Sequence, residues 1–410
     1  MKEIQSIPLF DDSFKQNPNS IYRRLLERSP IHYVLFPSGV RGWLVTGYDA
    51  AIQTLTHPDI GKNHALGNSR WRALASIMPE PQHSQLQAHL LHQDPPKHTV
   101  MRSLITPTFA ASRIEGFRHR ITGHVNQLLD TICEKGHADL IKEFAAKLSW
   151  LVLSEVVGLS DSLRDQFKSK WCRAVLPAAP NDPDRHAYIG TLVELQTYIE
   201  NVIALSRGGD GASLVVQLIS AHDAGKLSYN ELTSMLFQLL VAGQEPVTNQ
   251  IGSAVLELLR HPDQMQRLIK AQKIDANALN ELLRFNSAFE LSTWRFFPKT
   301  TNLFGVSIPA GDSVIVSINA ANRDPKRFQC PHKLDLGRPN NAPLTFGHDH
   351  HYCPAASLVR LELEVSLQQI LKRLPNLRLS CPPQELKWTN AVQARGLCKL
   401  PVTFTTKSQV

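Results

Sequence analysis

The 410-residue sequence lacks the marks of a secreted, membrane-spanning or nucleic-acid-binding chain. Its six cysteines, at 133, 172, 330, 353, 381 and 398, are scattered without paired spacing, which excludes a disulfide framework and fits a reducing compartment. No apolar run approaches the length of a membrane span. The N-terminal MKEIQSIPLFDDSF has neither a basic stretch nor an apolar one, so no leader is read and a soluble, cytoplasmic protein is expected. No Gly/Ser linker, low-complexity tract or repeat divides the chain, and residues 1–410 read as a single large domain with 42% hydrophobic content to form its core. The formal charge of +8 comes without a Lys/Arg block or aromatic-basic interleaving, which argues against nucleic acid. A basic docking face for an acidic protein is the alternative use of that charge.

What is present is mostly helical in period. A helix near Ile21 to Arg28, strands Ile31–Phe36 and Gly42–Thr46 joined through PSGVR, and a helix from Tyr48 to Thr56 open the chain. Residues 62–93 are weakly periodic, and a loop of that length is usually functional or disordered. Asp94 followed by Pro95 and Pro96 signals a helix start with Asp94 as cap. Helical period dominates from Ile114 to His261, with breaks at 177–185 and 207–211. After Arg284, two short strands flank Pro309-Ala-Gly-Asp, and Leu386–Phe404 reads as further strand. The fold expected is mainly α with a small β region.

Chemistry concentrates in the run FGHDHHYCPAASLVRLE, residues 346–362. Cys353 lies just ahead of an amphipathic stretch, Ala355 to Leu371, where helix N-terminal N–H groups favour a thiolate and hence a soft metal. A lone cysteine is ordinarily a small buried hydrophobe. Zinc is a second reading, since His348, His350, His351 and Cys353 are four potential ligands, but ligands packed so closely rarely close a tetrahedron. The spacing of Phe346, Gly347, His351, Cys353, Leu358, Arg360 and Glu362 resembles the haem-ligand signature of cytochrome P450 monooxygenases. Asp349 and Ala355 stand where that signature has glycine, and Val359 where it has alanine.

Other segments share the resemblance, in the family's order from about Pro8 to Phe404 and in the manner of its soluble bacterial class. Glu281 and Arg284, neighbours on one helix face, look like the E-x-x-R pair, with Arg338 as a third member and a structural role implied. His98 and Arg102 resemble H-x-x-x-R, and with Arg295 and His351 they are implied to bind haem propionates, while Phe346 is implied to be a further haem-binding residue. Pro343 occupies the place of a further histidine donor. Ala242, Gly243 and Glu245 match the distal helix pattern A-G-x-E/D-T-T, but Pro246 and Val247 replace both threonines. Proline has no hydroxyl, and it removes the N–H that would bond the Ala242 carbonyl, so a kink and a proton path through water and Glu245 are expected. Thr248, about 200° further round the helix, is poorly placed to substitute.

The resemblance implies a haem b enzyme with Cys353 as iron ligand, taking electrons from ferredoxin and ferredoxin reductase to oxidise a small organic molecule with dioxygen. Specialised-metabolite biosynthesis is the expected setting. Pro246 leaves a second reading open, oxidative coupling or ring closure without oxygen insertion, and a catalytically inactive recruitment module is a third. Trp71, Phe237, Val241, Ala242, Leu291, Ser292, Thr293 and Ala394 are the family positions expected to line the substrate pocket. Lys97, Arg113, Arg118 and Arg360 are expected to gather near Arg102 on the cysteine-loop side.

Overall fold

The first sheet begins with a two-residue strand, β1 (Gln5–Ser6), laid parallel to β2 (Ile31–Leu35). The alternation read after Ile31 closes β2 onto β3 (Arg41–Val45) as an antiparallel pair with Tyr33 opposite Trp43. A computed structural model describes residues 5–9, 11–75, 82–168, 171–172, 185–389 and 391–406. In it β3 pairs in parallel with β8 (Ser313–Val316), and β8 pairs antiparallel with β5 (Arg295–Phe296), giving the order β1-β2-β3-β8-β5.

The strands flanking Pro309–Asp312 are present but do not pair with each other: β7 (Val306–Ile308) pairs with β6 (Thr301–Leu303) instead. The expectation of strand through Leu386–Phe404 needs correction. Among the described residues there, only β10 (Pro401–Thr403) is a strand, between β4 (His137–Asp139) and β9 (Arg378–Leu379), together with isolated bridges at Trp388–Leu397 and Phe289–Ala394. The backbone groups between them serve side chains: Lys15 Nζ donates to the carbonyls of Ala391 (2.7 Å) and Ala394 (3.3 Å).

The helices that frame the site are α1 (Lys97–Ile105), α2 (Arg118–Cys133), α3 (Ala146–Val157), α4 (Tyr229–Arg260), α5 (Ala276–Phe285) and α6 (Ala356–Arg373). The break read at 207–211 separates two helices, whereas all but the last residue of the one at 177–185 lies outside the described residues. At 1.5 Å per residue the 32-residue α4 is about 48 Å long. A reciprocal cap starts it, with Ser228 N–H donating to Glu231 Oε2 (2.7 Å) and Glu231 N–H to Ser228 Oγ (3.2 Å). A Cβ at Gly243 would lie 2.6 Å from Leu153 Cδ1, so glycine there lets the Leu153 side chain of α3 pack directly on α4. Among the described residues no helix is long and apolar enough to cross a membrane.

The cysteine loop is fixed from α5. Glu281, fully buried, takes a double hydrogen bond from Arg284 (Nε 2.7 Å, Nη2 2.8 Å) and single ones from Arg338 Nε (3.0 Å), Asn341 Nδ2 (2.8 Å) and Asp335 N–H (2.9 Å). Arg284 continues to the carbonyls of Asn322 (2.8 Å) and Pro331 (2.9 Å), so one carboxylate organises the whole stretch leading to Phe346. Burial opposes the charged form of Glu281, but hydrogen bonding and charge from Arg284, then Asp335 and Arg338, outweigh it and hold the carboxyl below its ordinary value.

Glu281→Gln removes the charge that two buried guanidiniums share, and a loss of about 3–5 kcal/mol is expected, read as a lower urea midpoint by circular dichroism. Because the folded-state value is depressed, the wild-type contribution is complete above the ordinary 4.5 and lost as pH falls through the lowered one. The gap between wild type and variant should therefore close in acid. A gap that is constant with pH contradicts the assignment.

Candidate functional site

The loop from Phe346 to Cys353 turns back on itself, with Cys353 N–H donating to the Phe346 carbonyl (2.9 Å). Asp349, one of the two departures from glycine, takes the left-handed conformation that glycine would supply, at φ +61°. Aspartate tolerates this region better than most side chains. Ala355, the other, has φ −92° and ψ 15°, which asks nothing of glycine. Arg102 Nη1 donates to the Tyr352 carbonyl (2.8 Å), tying α1 to the loop, and the Arg360 guanidinium lies 4.8 Å over the Phe346 ring.

Cys353 is half-buried. Burial raises its thiol, and the Ala355 N–H, Arg102 and Arg360 offset only part of that. The helix N-terminus thus favours the thiolate as expected but does not secure it alone; a bound cation is needed. Among the described residues no three His, Cys, Asp or Glu side chains gather as a metal cluster.

Above the loop lies a nest of cations. His98 on α1 has its ring centroid 4.3 Å from that of His351, and its Nε2 is buried without a hydrogen-bond partner. Arg295 on β5, 6% exposed, donates from Nη1 to the Thr293 carbonyl (3.1 Å). Lys62, which sequence reasoning missed, is 2% exposed with Nζ against Thr293 Oγ1. Neither Lys62, Arg102 nor Arg295 has a carboxylate at ion-pair distance among the described residues. Burial, then Arg295, holds Lys62 well below the ordinary lysine value, and burial lowers Arg295 to about 10. Burial and then Lys62 also depress His351.

Asp94 does not cap α1, which has no side-chain cap. Its carboxylate accepts instead from the backbone N–H groups of Lys62 (2.8 Å) and Asn63 (3.0 Å), so it aims Lys62 into the nest. Buried cations without partners call for an anionic ligand, and two carboxylates on a flat apolar body meet that need. The propionates of a haem fit.

The distal face belongs to α4, which runs unbroken through Pro246. Proline at 246 leaves the Ala242 carbonyl without the N–H partner an ordinary residue there would supply. Ala242 is exposed in mid-helix although Leu240 and Gln244 are buried, the sign of an internal hollow. Glu245 is buried on the side of Cys172, whose thiol is raised by burial and then by Glu245. Thr248 exchanges a hydrogen bond with Ser149 Oγ on α3 (2.8 Å) and donates to the Gln244 carbonyl (3.0 Å), so its hydroxyl turns away from the hollow. Asn249, two turns after Ala242 on the same face, is buried with neither amide atom hydrogen-bonded. A Cβ on Gly396 would come within 2.0 Å of Asn249 Oδ1, so glycine is required opposite that amide.

Phe237, Val241 and Ala242 share this region, with Phe237 stacked on His89 at 6.2 Å. His89, His92 and His64 continue as a row of rings tilted 38° to one another, with centroids 4.3 and then 3.8 Å apart, a wall hidden in the weakly periodic 62–93 segment. Residues 76–81 of that segment lie outside the described ones. Ser292 Oγ takes the Val316 N–H (3.0 Å), and Thr293 reaches the nest. Trp71 and Leu291 pack with Phe296 in the core under the first sheet, and Ala394 is 1% exposed. Of the surface cations, Lys97 pairs with Glu231 (2.6 Å) and Arg118 with Glu364 (2.8 Å), so the expected patch is partly neutralised.

Comparison with known proteins agrees with this arrangement. The family model Cytochrome P450 matches residues 205–404. Cytochrome P450 107B1 of Saccharopolyspora erythraea is 36% identical over 405 residues, covering 98% of each chain. The structure of the tirandamycin C-bound P450 monooxygenase TamI superposes with a TM-score of 0.88 at 30% identity, over 98% of this chain and all of that one. CxnD, the P450 enzyme for C–S bond formation in chuangxinmycin biosynthesis, gives 0.90 at 29% identity, over 98% and 97%. A cysteine loop, a cation nest and a hollowed distal helix, within relatives that match end to end, mean that this chain is a member of the cytochrome P450 family, whose haem iron is held by a thiolate.

Proposed function

We propose that this chain is a haem-thiolate oxidase that accepts electrons from a ferredoxin and its reductase and oxidises a small organic molecule in specialised-metabolite biosynthesis. The observation that carries the reading is the set of cations without a carboxylate at ion-pair distance among the described residues, the buried Lys62 and Arg295 and the half-buried Arg102, beside the loop of Cys353. Bound haem supplies dioxygen activation. Cys353 provides the thiolate, with Arg102, Arg360 and the Ala355 N–H stabilising its charge. His98, Arg102, Arg295, His351 and Lys62 hold the propionates, Lys62 compensating for the donor lost at Pro343.

Proton supply is where this chain departs from its family. Pro246 offers no hydroxyl, and Thr248 is committed to Ser149. The Ala242 carbonyl and the Asn249 amide, both short of partners on the hollow face, are suited to hold water, and Glu245 is the carboxylate adjoining them on α4. A path that relies on water and a carboxylate in place of a helix hydroxyl favours a substrate that brings its own donor. A second reading is hydrogen abstraction followed by coupling; among the structural relatives, CxnD is described as an enzyme for C–S bond formation.

Lys62→Met keeps length but removes charge, and the holoenzyme should lose haem to apomyoglobin about tenfold faster, with the cysteine-ligand spectrum kept. An unchanged transfer rate contradicts the added propionate contact. Glu245→Gln should lower product formed per NAD(P)H severalfold while sparing the haem spectrum, and Pro246→Thr should shift the balance between product and peroxide. Near-wild-type coupling in both variants rules out this proton route. Turnover under labelled dioxygen separates the readings, because label in the product means oxygen insertion and unlabelled coupled product means the alternative.

A further inference from the structure

A second cavity, of about 480 Å³, opens away from the haem site between the N-terminal segment, the C-terminal end of α4 and the chain that follows α5. Arg260, Arg323 and Arg395 line it with His261 and His332, against a single lining carboxylate, Glu257. Glu257 is spoken for: it lies 3.7 Å from Arg260 and accepts from Asn286 Nδ2 at 2.8 Å. Arg395, 3% exposed, is backed by Glu290 at 3.8 Å and donates from Nε to Asn286 Oδ1 (3.0 Å), leaving its buried Nη1 without a hydrogen bond.

Arg323 is the anomaly. It is 7% exposed, lies 4.2 Å over the Phe285 ring and donates from Nη2 to the Phe285 carbonyl, yet no carboxylate stands at ion-pair distance from it among the described residues. Burial, and then Arg284, lower it to about 10, the direction expected of a cation that lacks its counter-ion.

We infer that this cavity binds an oxyanion, a phosphate or carboxylate group of a small molecule, received by Arg323 and Arg395 with Arg260 at the rim. The volume exceeds what a bare ion needs, so the group belongs to a larger solute. Planar guanidiniums converging on one space suit such a group, and the depth of Arg323 and Arg395 limits screening by salt. The site also touches the distal architecture. Arg395 follows Ala394, its N–H donates to the Ala288 carbonyl (2.8 Å), and Glu290 N–H donates to the Gln393 carbonyl (2.8 Å). An anion on Arg395 therefore braces the segment that continues into Ser292 and Thr293.

The test uses the holoenzyme titrated by calorimetry with inorganic phosphate and, separately, acetate, with sodium chloride holding ionic strength constant. Saturable one-to-one binding of either probe is expected, with a rise in unfolding temperature, and the probe preferred identifies the group as phosphoryl or carboxylate. Arg260→Gln, at the rim where folding tolerates change, should weaken binding about tenfold without altering the reduced carbon monoxide spectrum. Arg323→Gln should abolish it. The inference fails if neither probe saturates by about 20 mM, or if Arg260→Gln binds as wild type does.

Discussion

Glu281, fully buried, accepts five hydrogen bonds, and the position of the cysteine follows from them. Arg284 and Arg338 are neutralised there and free to spend their remaining donors on the carbonyls of Asn322, Pro331, Gln329 and Lys333. Those carbonyls belong to a stretch without regular hydrogen-bonded structure, which a buried guanidinium pair can order where a ladder cannot. Thr345 Oγ1 donating to the Leu283 carbonyl (2.8 Å) then sets the start of the Cys353 loop against α5.

The contrast with the propionate nest is instructive. Arg284 and Arg338 both meet the Glu281 carboxylate, so that cluster is complete without a ligand. Around Lys62, Arg102 and Arg295 the hydrogen-bond acceptors are backbone carbonyls and hydroxyls, while Asp94 and Asp349 act only from beyond ion-pair distance, and charge balance waits for the cofactor. Folding and haem binding are thereby separable in this architecture: one ionic cluster orders the loop, and the other holds what the loop ligates. The same logic, cations buried without partners, is what distinguishes the cavity at Arg323 from an ordinary surface depression.

Local features were legible in the sequence. The helices at Tyr48–Leu55 and Ala356–Arg373, the hairpin at Ile31–Val45 and the Glu281–Arg284 pair all follow from periodicity or spacing within one element. What stayed hidden is non-local. The parallel pairing of β3 with β8 joins residues some 270 apart, and Lys62 reads as a solvated lysine until Thr293, 231 residues on, is beside it. Asp94 satisfied every local rule for a helix cap, yet two unpaired N–H groups at 62 and 63 outbid α1 for its carboxylate. The histidine wall escaped because His64 is joined to His89 and His92 across 25 residues or more, although His89 and His92 are themselves three apart. Asp349 was visible as a departure from glycine, but only its φ of +61° explains how the loop absorbs it.

The account stands on Cys353 as the thiolate that completes the haem site. The reduced carbon monoxide difference spectrum measures this directly, since a thiolate opposite carbon monoxide shifts the Soret band to the red. Wild type should give that red-shifted band, and Cys353→Ala, reconstituted with haem, should lose it while keeping its far-ultraviolet circular dichroism. A variant that retains the wild-type band would contradict the assignment of the ligand.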